Sequence, residues 1–152
     1  MSPTRRLQLV QRVTDDKERR HAQRLAQSRT RVAQCEAKLK ELQGYHAGYL
    51  REFDKRASSG IGGAGIREFH AVIAKLAEAI RQQEELLTKA RTDSESEQAG
   101  WQGAAQRSQI MDKVVERHLA IETKARDQRD QRESDERGQR KANGRLDSSG
   151  NQ

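Results

Sequence analysis

Three glycines, Gly60, Gly62 and Gly65, have the spacing G-x-G-x-x-G. This spacing holds the pyrophosphate of a dinucleotide when it follows a β-strand and opens a helix, and an acidic residue about 20 positions later then binds the ribose. Glu84 and Glu85 stand at that distance. The residues before Gly60, however, are charged and have a helical period, so no strand precedes the glycines. The spacing therefore indicates a flexible turn between two helices, and we expect no bound nucleotide.

The other residues with chemical potential are four histidines, His21, His46, His70 and His118, and one cysteine, Cys35. None of the histidines has a further ligand at the spacing of a recognised zinc motif. Cys35 has no histidine placed to activate it, and it falls on an apolar face where a thiol behaves as a small hydrophobic group. The sequence therefore predicts no metal, no cofactor and no catalytic site.

The composition limits the fold. Of the 152 residues, 35% are charged, 32% are apolar and 3% are aromatic. A single packed core needs roughly 45–50% apolar residues, so a globule with a buried catalytic cleft is not expected. The mean hydropathy of -1.11 and the first residues predict neither a transmembrane span nor a secretory signal. A lone cysteine fits a reducing cytosol. Two possibilities remain, a disordered basic chain and an elongated helical rod.

The periodicity of the apolar residues favours the helical rod. Two series of positions advance by alternating steps of three and four residues, which is the heptad pattern of a coiled coil. The first series is Leu25, Ser28, Val32, Cys35, Leu39, Leu42, His46, Tyr49 and Phe53. The second series is Phe69, Ile73, Leu76, Ile80, Gln83, Leu87 and Ala90.

The segment 57–65 separates the two series and contains four of the 11 glycines. If the helices pair in antiparallel fashion, the residue numbers of facing residues have a constant sum. That sum is 122 for Phe53 with Phe69, and the remaining positions follow without a slip. The sequence thus predicts an all-α fold, a long antiparallel two-helix coiled-coil hairpin over 1–137. Its arms cover about 5–56 and 66–137, the Gly-rich loop is 57–65, and 138–152 form a disordered tail.

The positive charge is concentrated in the first arm. Residues 1–56 contain 14 Lys and Arg against 7 Asp and Glu, whereas residues 57–152 contain 16 of each kind. A basic end attracts an acidic protein surface, lipid headgroups or nucleic acid. No aromatic residues are interleaved for base stacking, so we expect no specific nucleic-acid site.

Two apolar surfaces exceed what a two-helix seam requires. Near the loop, Tyr45, Val72 and Ala79 lie one position off the seam and widen a face that also contains Leu42, Tyr49 and Leu76. This face is either a thick seam or a site for a partner helix. Far from the loop, residues 111–121 include Met111, Val115 and Leu119, which we expect at or past the end of the first arm. That stretch is either a docking surface or the closing end of the hairpin.

Several residues together resemble the FliJ family of flagellar type III export proteins. The resemblance extends over most of residues 20–120 and rests on one set of positions. They are Tyr45, Tyr49, Ser58-Ser59-Gly60-Ile61, Phe69, Ile73, Leu76, Ala79-Ile80, Trp101 and Glu116-Arg117. The stalk proteins of virulence injectisomes have a similar architecture.

The resemblance implies a non-enzymatic cytoplasmic protein that is the central stalk of the export ATPase ring. It further implies contacts with the cytoplasmic linker of the export gate, and therefore a peripheral position at the inner membrane, and the escort of emptied export chaperones. The gate and chaperone site would comprise Leu42, Tyr45, Tyr49, Val72, Leu76 and Ala79. The ring site would comprise Arg5, Arg6, Arg12, Met111, Val115 and Leu119. An injectisome ATPase stalk, a basic coiled-coil protein associated with nucleic acid and a purely structural coiled coil are the alternatives.

Overall fold

The computed structural model describes residues 2–150, and these residues form two α-helices and no strand. Helix α1 comprises Pro3–Ser58 and helix α2 comprises Gly63–Ser149. The two helices pair in antiparallel fashion, which confirms the predicted all-α hairpin.

The chain divides into two compact units, each containing a part of both helices. The loop unit comprises 17–105, and the terminal unit comprises 1–16 and 106–152. In the loop unit the inward positions include the buried residues Leu25, Ser28, Leu87 and Ala104. In the terminal unit the buried residues are Thr4 and Val115. Each unit thus has a seam that is one side chain wide rather than a broad core.

Contacts across the seam of the loop unit show how far the predicted register holds. The rings of Phe53 and Phe69 face each other with their centroids 5.8 Å apart. Further from the loop, the side-chain amide of Gln83 donates a hydrogen bond of 3.2 Å to the carbonyl oxygen of Cys35. The Trp101 indole N–H likewise donates to a carboxylate oxygen of Glu18 at 2.8 Å. The Phe53–Phe69 contact has the predicted register, whereas Gln83 bonds to a residue one turn from Leu39, the partner that the constant sum gives it.

Polar pairs join the two helices in the terminal unit. The Gln11 amide donates to Asp112 at 2.8 Å, and the Ser108 hydroxyl donates to Asp15 at 2.6 Å. The Thr4 hydroxyl donates to the carboxylate of Glu122. Because α1 pairs with α2 as far as Glu122, the expectation that residues 111–121 lie at or past the end of α1 is wrong. Hydrogen bonds contribute to the register here, alongside the buried Val115.

Local interactions define the ends of α1. The Ser2 hydroxyl accepts a hydrogen bond of 3.2 Å from the backbone N–H of Arg5, and Pro3 follows as the first helical residue. Both are favoured choices at a helix start. At the other end, the hydroxyl groups of Ser58 and Ser59 each donate to the carbonyl of Lys55 at 2.9 Å. Gly60 then has a φ of 87°, a backbone conformation that favours glycine.

The connection between the helices comprises only residues 59–62 and is shorter than the predicted loop 57–65. Gly63, Ala64 and Gly65 belong to the first turn of α2 instead. Glycine is among the residues accepted at a helix start. A Cβ at position 65 would come within 2.7 Å of the Ile61 side chain, so a larger residue there would force that side chain to move.

The C-terminal part of α2 differs from the predicted disordered tail. The helix continues to Ser149 rather than ending near 137, and the side chains of 138–150 are all exposed. Its Gln, Arg, Lys, Ala and Leu residues favour a helix, whereas Gly138, Asn143 and Gly144 disfavour one. The helix therefore continues here from the preceding turns with a mixed local propensity and no buried side chain. The last two positions of the expected tail, 151 and 152, lie outside the described residues.

Two adjacent leucines test the seam. Leu87 is 5% exposed and its neighbour Leu86 is 55% exposed. We expect Leu87→Ala to lower the free energy of unfolding by about 2–4 kcal/mol, because it leaves a cavity in the seam. Leu86→Ala should change it by less than about 0.5 kcal/mol. Urea denaturation followed by circular dichroism measures both values, and equal effects of the two substitutions would contradict the assigned seam.

Removal of residues 138–152 should leave the melting temperature within about 2 °C of that of the full chain. The reason is that the side chains of 138–150 are exposed. Thermal denaturation of the full and shortened chains measures the difference. A fall of more than about 5 °C would mean that the segment stabilises the hairpin.

Candidate functional site

An aromatic cluster lies next to the connection, within the loop unit. Phe69 contacts Phe53 and also Tyr49, whose ring centroid is 6.4 Å away in an edge-on arrangement. The guanidinium carbon of Arg56 lies 5.5 Å from the centroid of the Phe69 ring. Phe53 further contacts His70 at 5.2 Å. Aromatic side chains from both helices therefore form the surface of the loop unit next to the connection.

The tyrosine patch, defined as Tyr45, Tyr49 and Val72 with Gly44 and Gly48, adjoins this cluster. Tyr45 is 53% exposed although it is a large apolar ring. Its hydroxyl donates a hydrogen bond of 3.0 Å to Glu41. This bond and the charge of Glu41 raise the pKa of Tyr45. The phenol therefore stays neutral at physiological pH, with its ring facing solvent.

Two shallow grooves shape the tyrosine patch. One is lined by Tyr49, Phe69 and Val72, with Glu52 at its border. The other also contains Tyr49 and runs over Gly44 and Gly48 to Tyr45. The glycines leave the space between the two tyrosines open. A partner side chain can therefore reach the face of either ring.

The structure separates the six residues predicted for the gate and chaperone site into two groups. Tyr45 and Tyr49 are exposed, and Val72 joins Tyr49 in one groove. Leu42 and Leu76 are half-buried at seam positions, and Ala79 is half-buried beside the seam. Only the first three are therefore brought together as a surface, whereas Leu42 and Leu76 contribute mainly to the hairpin.

Sequence reasoning missed some members of this surface. Phe69 was counted only as a seam residue, yet it lines the groove with Val72. Gly44 and Gly48 were not considered, although two glycines one turn apart beside a tyrosine indicate an opening in a helix surface. Glu52 likewise borders both grooves.

The residues predicted for the ring site lie in the terminal unit, with unequal exposure. Arg5, Arg6, Arg12 and Leu119 are exposed. Val115 is only 4% exposed, so a partner protein cannot contact its side chain while the two helices are paired. Met111 is half-buried at the seam.

The terminal unit exposes other apolar residues that the sequence analysis did not select. Leu9, Val10 and Val13 are exposed on α1, and Ile110 and Ile121 are each 60% exposed on α2. The signal was present in the sequence, because Leu9, Val10 and Val13 fall outside the heptad positions of α1. Exposed apolar side chains grouped in this way mark interaction surfaces in soluble proteins.

Among residues 2–150, no group of three or more His, Cys, Asp or Glu side chains could hold a metal ion. Arg81 donates to Glu78 at 2.6 Å and to Glu85 at 2.7 Å. The hydrogen bond from Arg81 lowers the pKa of Glu78, so this carboxylate stays ionised and is unsuited to general-acid chemistry.

No described helix is both long and apolar enough to cross a membrane.

The structure thus belongs to the class of two-helix α-hairpins with separate exposed apolar patches. The family model for the flagellar FliJ protein matches residues 3–146 of this chain. The chain therefore belongs to the FliJ family and is a component of the flagellar protein export apparatus. No curated protein and no solved structure matches it.

The Tyr45–Glu41 hydrogen bond gives a direct test of the patch geometry. Glu41→Gln removes the negative charge, so the pKa of Tyr45 should fall toward the ordinary tyrosine value of about 10. Nuclear magnetic resonance titration of the tyrosine ring signals resolves Tyr45 from Tyr49. An unchanged Tyr45 pKa in this variant would contradict the contact.

Proposed function

We propose that this chain is the central, non-enzymatic stalk of the flagellar export ATPase ring and links that ring to the export gate. In this role it also carries export chaperones between rounds of export. It acts in the cytoplasm, at the cytoplasmic face of the inner membrane, and its membrane association is indirect, through the export gate. The observation that carries the proposal is the exposed tyrosine patch on a chain that belongs to the FliJ family.

The tyrosine patch would bind the gate linker and the chaperones. Tyrosine is enriched among the residues that dominate binding energy, because it combines apolar area with a polar end and few rotatable bonds. Tyr45 and Tyr49 are exposed on either side of an opening above Gly44 and Gly48. A surface of this small size suits partners that bind transiently and replace one another.

The terminal unit would enter the ATPase ring. Arg5 and Arg12 supply exposed positive charge, and Leu9, Val13, Ile110 and Leu119 supply exposed apolar contacts. Met111 and Val115 would act indirectly by packing the two helices together. Mixed apolar and cationic surfaces allow binding by apolar contact, with charge guiding the encounter.

The gate contact is tested by Tyr45→Ala combined with Val72→Asp. We expect at least a tenfold loss of affinity (about 1.4 kcal/mol) for the cytoplasmic domain of the export gate, at physiological salt. Leu50→Ala is the matched control, because Leu50 is also exposed on α1 but lies outside the tyrosine patch. Helicity should stay at the wild-type level in both variants. Unchanged gate binding by the double variant would overturn this assignment.

The ring contact is tested by Val13→Asp combined with Ile110→Asp. These substitutions place charge on the exposed apolar residues of the terminal unit, so we expect weaker binding to the purified export ATPase while gate binding stays unchanged. Leu146→Asp is the control, because Leu146 is the most exposed large apolar residue of the described chain. If the double variant keeps full ATPase binding, the terminal unit is not the ring site.

A further inference from the structure

One edge of α1 in the loop unit is occupied by cations. Lys17, Arg20, Arg24, Arg31 and Lys38 recur at steps of three, four or seven residues, so they form one line along the helix. We call this line the basic edge. It contains no acidic residue, and all five side chains are exposed. Only Lys38 has an ion pair, a 4.0 Å contact with Glu41 in which both side chains are more than half exposed.

An apolar groove between the two helices follows the basic edge. Ser28, Cys35, Leu86 and Ala90 line this groove, with Arg31 and Lys89 at its sides. We call it the central groove, and its cavity is about 220 Å³. Leu86 is a large apolar residue that remains mostly exposed here, although neither the seam nor the tyrosine patch uses it.

On the opposite side of the same helix pair the charges are mixed, and an ion pair bridges the two helices. There Arg91 of α2 reaches Glu36 of α1 at 3.3 Å and bridges the two helices. Acidic and basic residues alternate on that side, which is typical of a surface exposed to solvent. The line of cations and the open groove therefore occur on the same side of the helix pair.

We propose that the central groove and the basic edge bind an amphipathic helix of a partner protein that carries acidic residues beside its apolar stripe. A third helix would place apolar side chains over Leu86, Cys35 and Ala90. Its carboxylates would then lie along Arg24, Arg31 and Lys38. This is the helix-in-groove mode of recognition, with charge complementarity setting the orientation.

Two acidic residues of α2 restrict how the partner lies. Asp93 lines the central groove itself. With Glu97 it also lines the neighbouring part, together with Arg24 and Arg31. The acidic residues of the partner must therefore face α1, where the cations stand, and avoid Asp93. Because the two helices carry opposite charges here, one rotation of the bound helix about its own axis is favoured over the others.

The groove favours a protein helix over nucleic acid. Its lining includes no aromatic residue that could stack on a base. Leu86 offers an apolar contact that a phosphate backbone would not use. A lipid surface is less suited as well, because the apolar lining lies in a concave groove rather than on a projecting face.

The surface is distinct from those used in the proposed stalk function. The central groove shares no residue with the tyrosine patch, and it lies in the loop unit rather than in the terminal unit. Binding at the groove can therefore be measured on the purified chain alone, and its outcome does not depend on gate or ATPase binding.

The test uses the full chain and a synthetic helical peptide of about 21 residues. The peptide has leucines at heptad positions and glutamates on both sides of them. A control peptide has lysine in place of every glutamate. Fluorescence anisotropy at physiological salt measures affinity. Cys35, the only cysteine of the chain, lines the groove, so slower reaction of its thiol with a disulfide reagent reports occupancy of this place.

Three chain variants assign the contact. Arg24→Glu with Arg31→Glu should weaken binding of the acidic peptide by at least tenfold, and Leu86→Ser should weaken it several-fold. Arg29→Glu is the matched control, because Arg29 is an exposed arginine of the same segment that does not line the groove. It should leave binding nearly unchanged, and circular dichroism should show the same helicity for all variants.

Acidic-peptide binding that protects Cys35 and is lost in the double arginine variant would support the proposal. Equal binding of the acidic and lysine peptides, or binding without protection of Cys35, would overturn it. If the peptide does not bind, the proposal is also wrong. In that case, retention of duplex DNA or of vesicles containing anionic lipid, dependent on Arg24 and Arg31, would assign the basic edge to phosphate groups instead.

Discussion

The structure depends on a seam only one side chain wide between two antiparallel helices. Burial is accordingly sparse, and the buried apolar residues are Leu25, Leu87, Ala104 and Val115. Burial of one such side chain contributes about 1.5–3 kcal/mol at most, so stability must accumulate over many heptads. A seam of this kind covers one stripe of each helix and leaves the other faces open. The exposed surfaces of the protein follow directly from this constraint.

The same constraint explains why polar residues occupy inward positions. In the terminal unit, hydrogen bonds from Gln11 to Asp112 and from Ser108 to Asp15 specify the pairing. Partly exposed hydrogen bonds of this kind add little net stability, but a shift of register would break them together. In the loop unit, apolar contacts hold the two helices together. In the terminal unit, polar contacts help to set the register of the two helices. Membership of the FliJ family fits a molecule that works through contacts with other proteins rather than through a reaction.

Exposed side chains rather than cavities distinguish the functional surfaces. The tyrosine patch has an aromatic character and openings above two glycines, and the central groove combines Leu86 with a line of cations. In the terminal unit, Val13 and Ile110 are exposed apolar residues with arginines nearby in the sequence. These different chemistries suit different partners. A two-helix hairpin can carry several independent sites because its seam uses so little of its surface.

The sequence by itself determined the helical class, the antiparallel pairing and the Phe53–Phe69 register, because heptad spacing is a local property of the chain. It also identified Tyr45 and Tyr49 as part of a surface. It could not determine that α1 pairs with α2 as far as Glu122, since polar side chains join the helices there and polar residues give no periodic signal. The tertiary structure was also needed to show that Tyr45 is exposed while Leu76 is half-buried. The same holds for Ile110, which is exposed, and Val115, which is buried. The burial of each of these residues depends on the rotation of its helix against the partner helix, and packing decides that rotation.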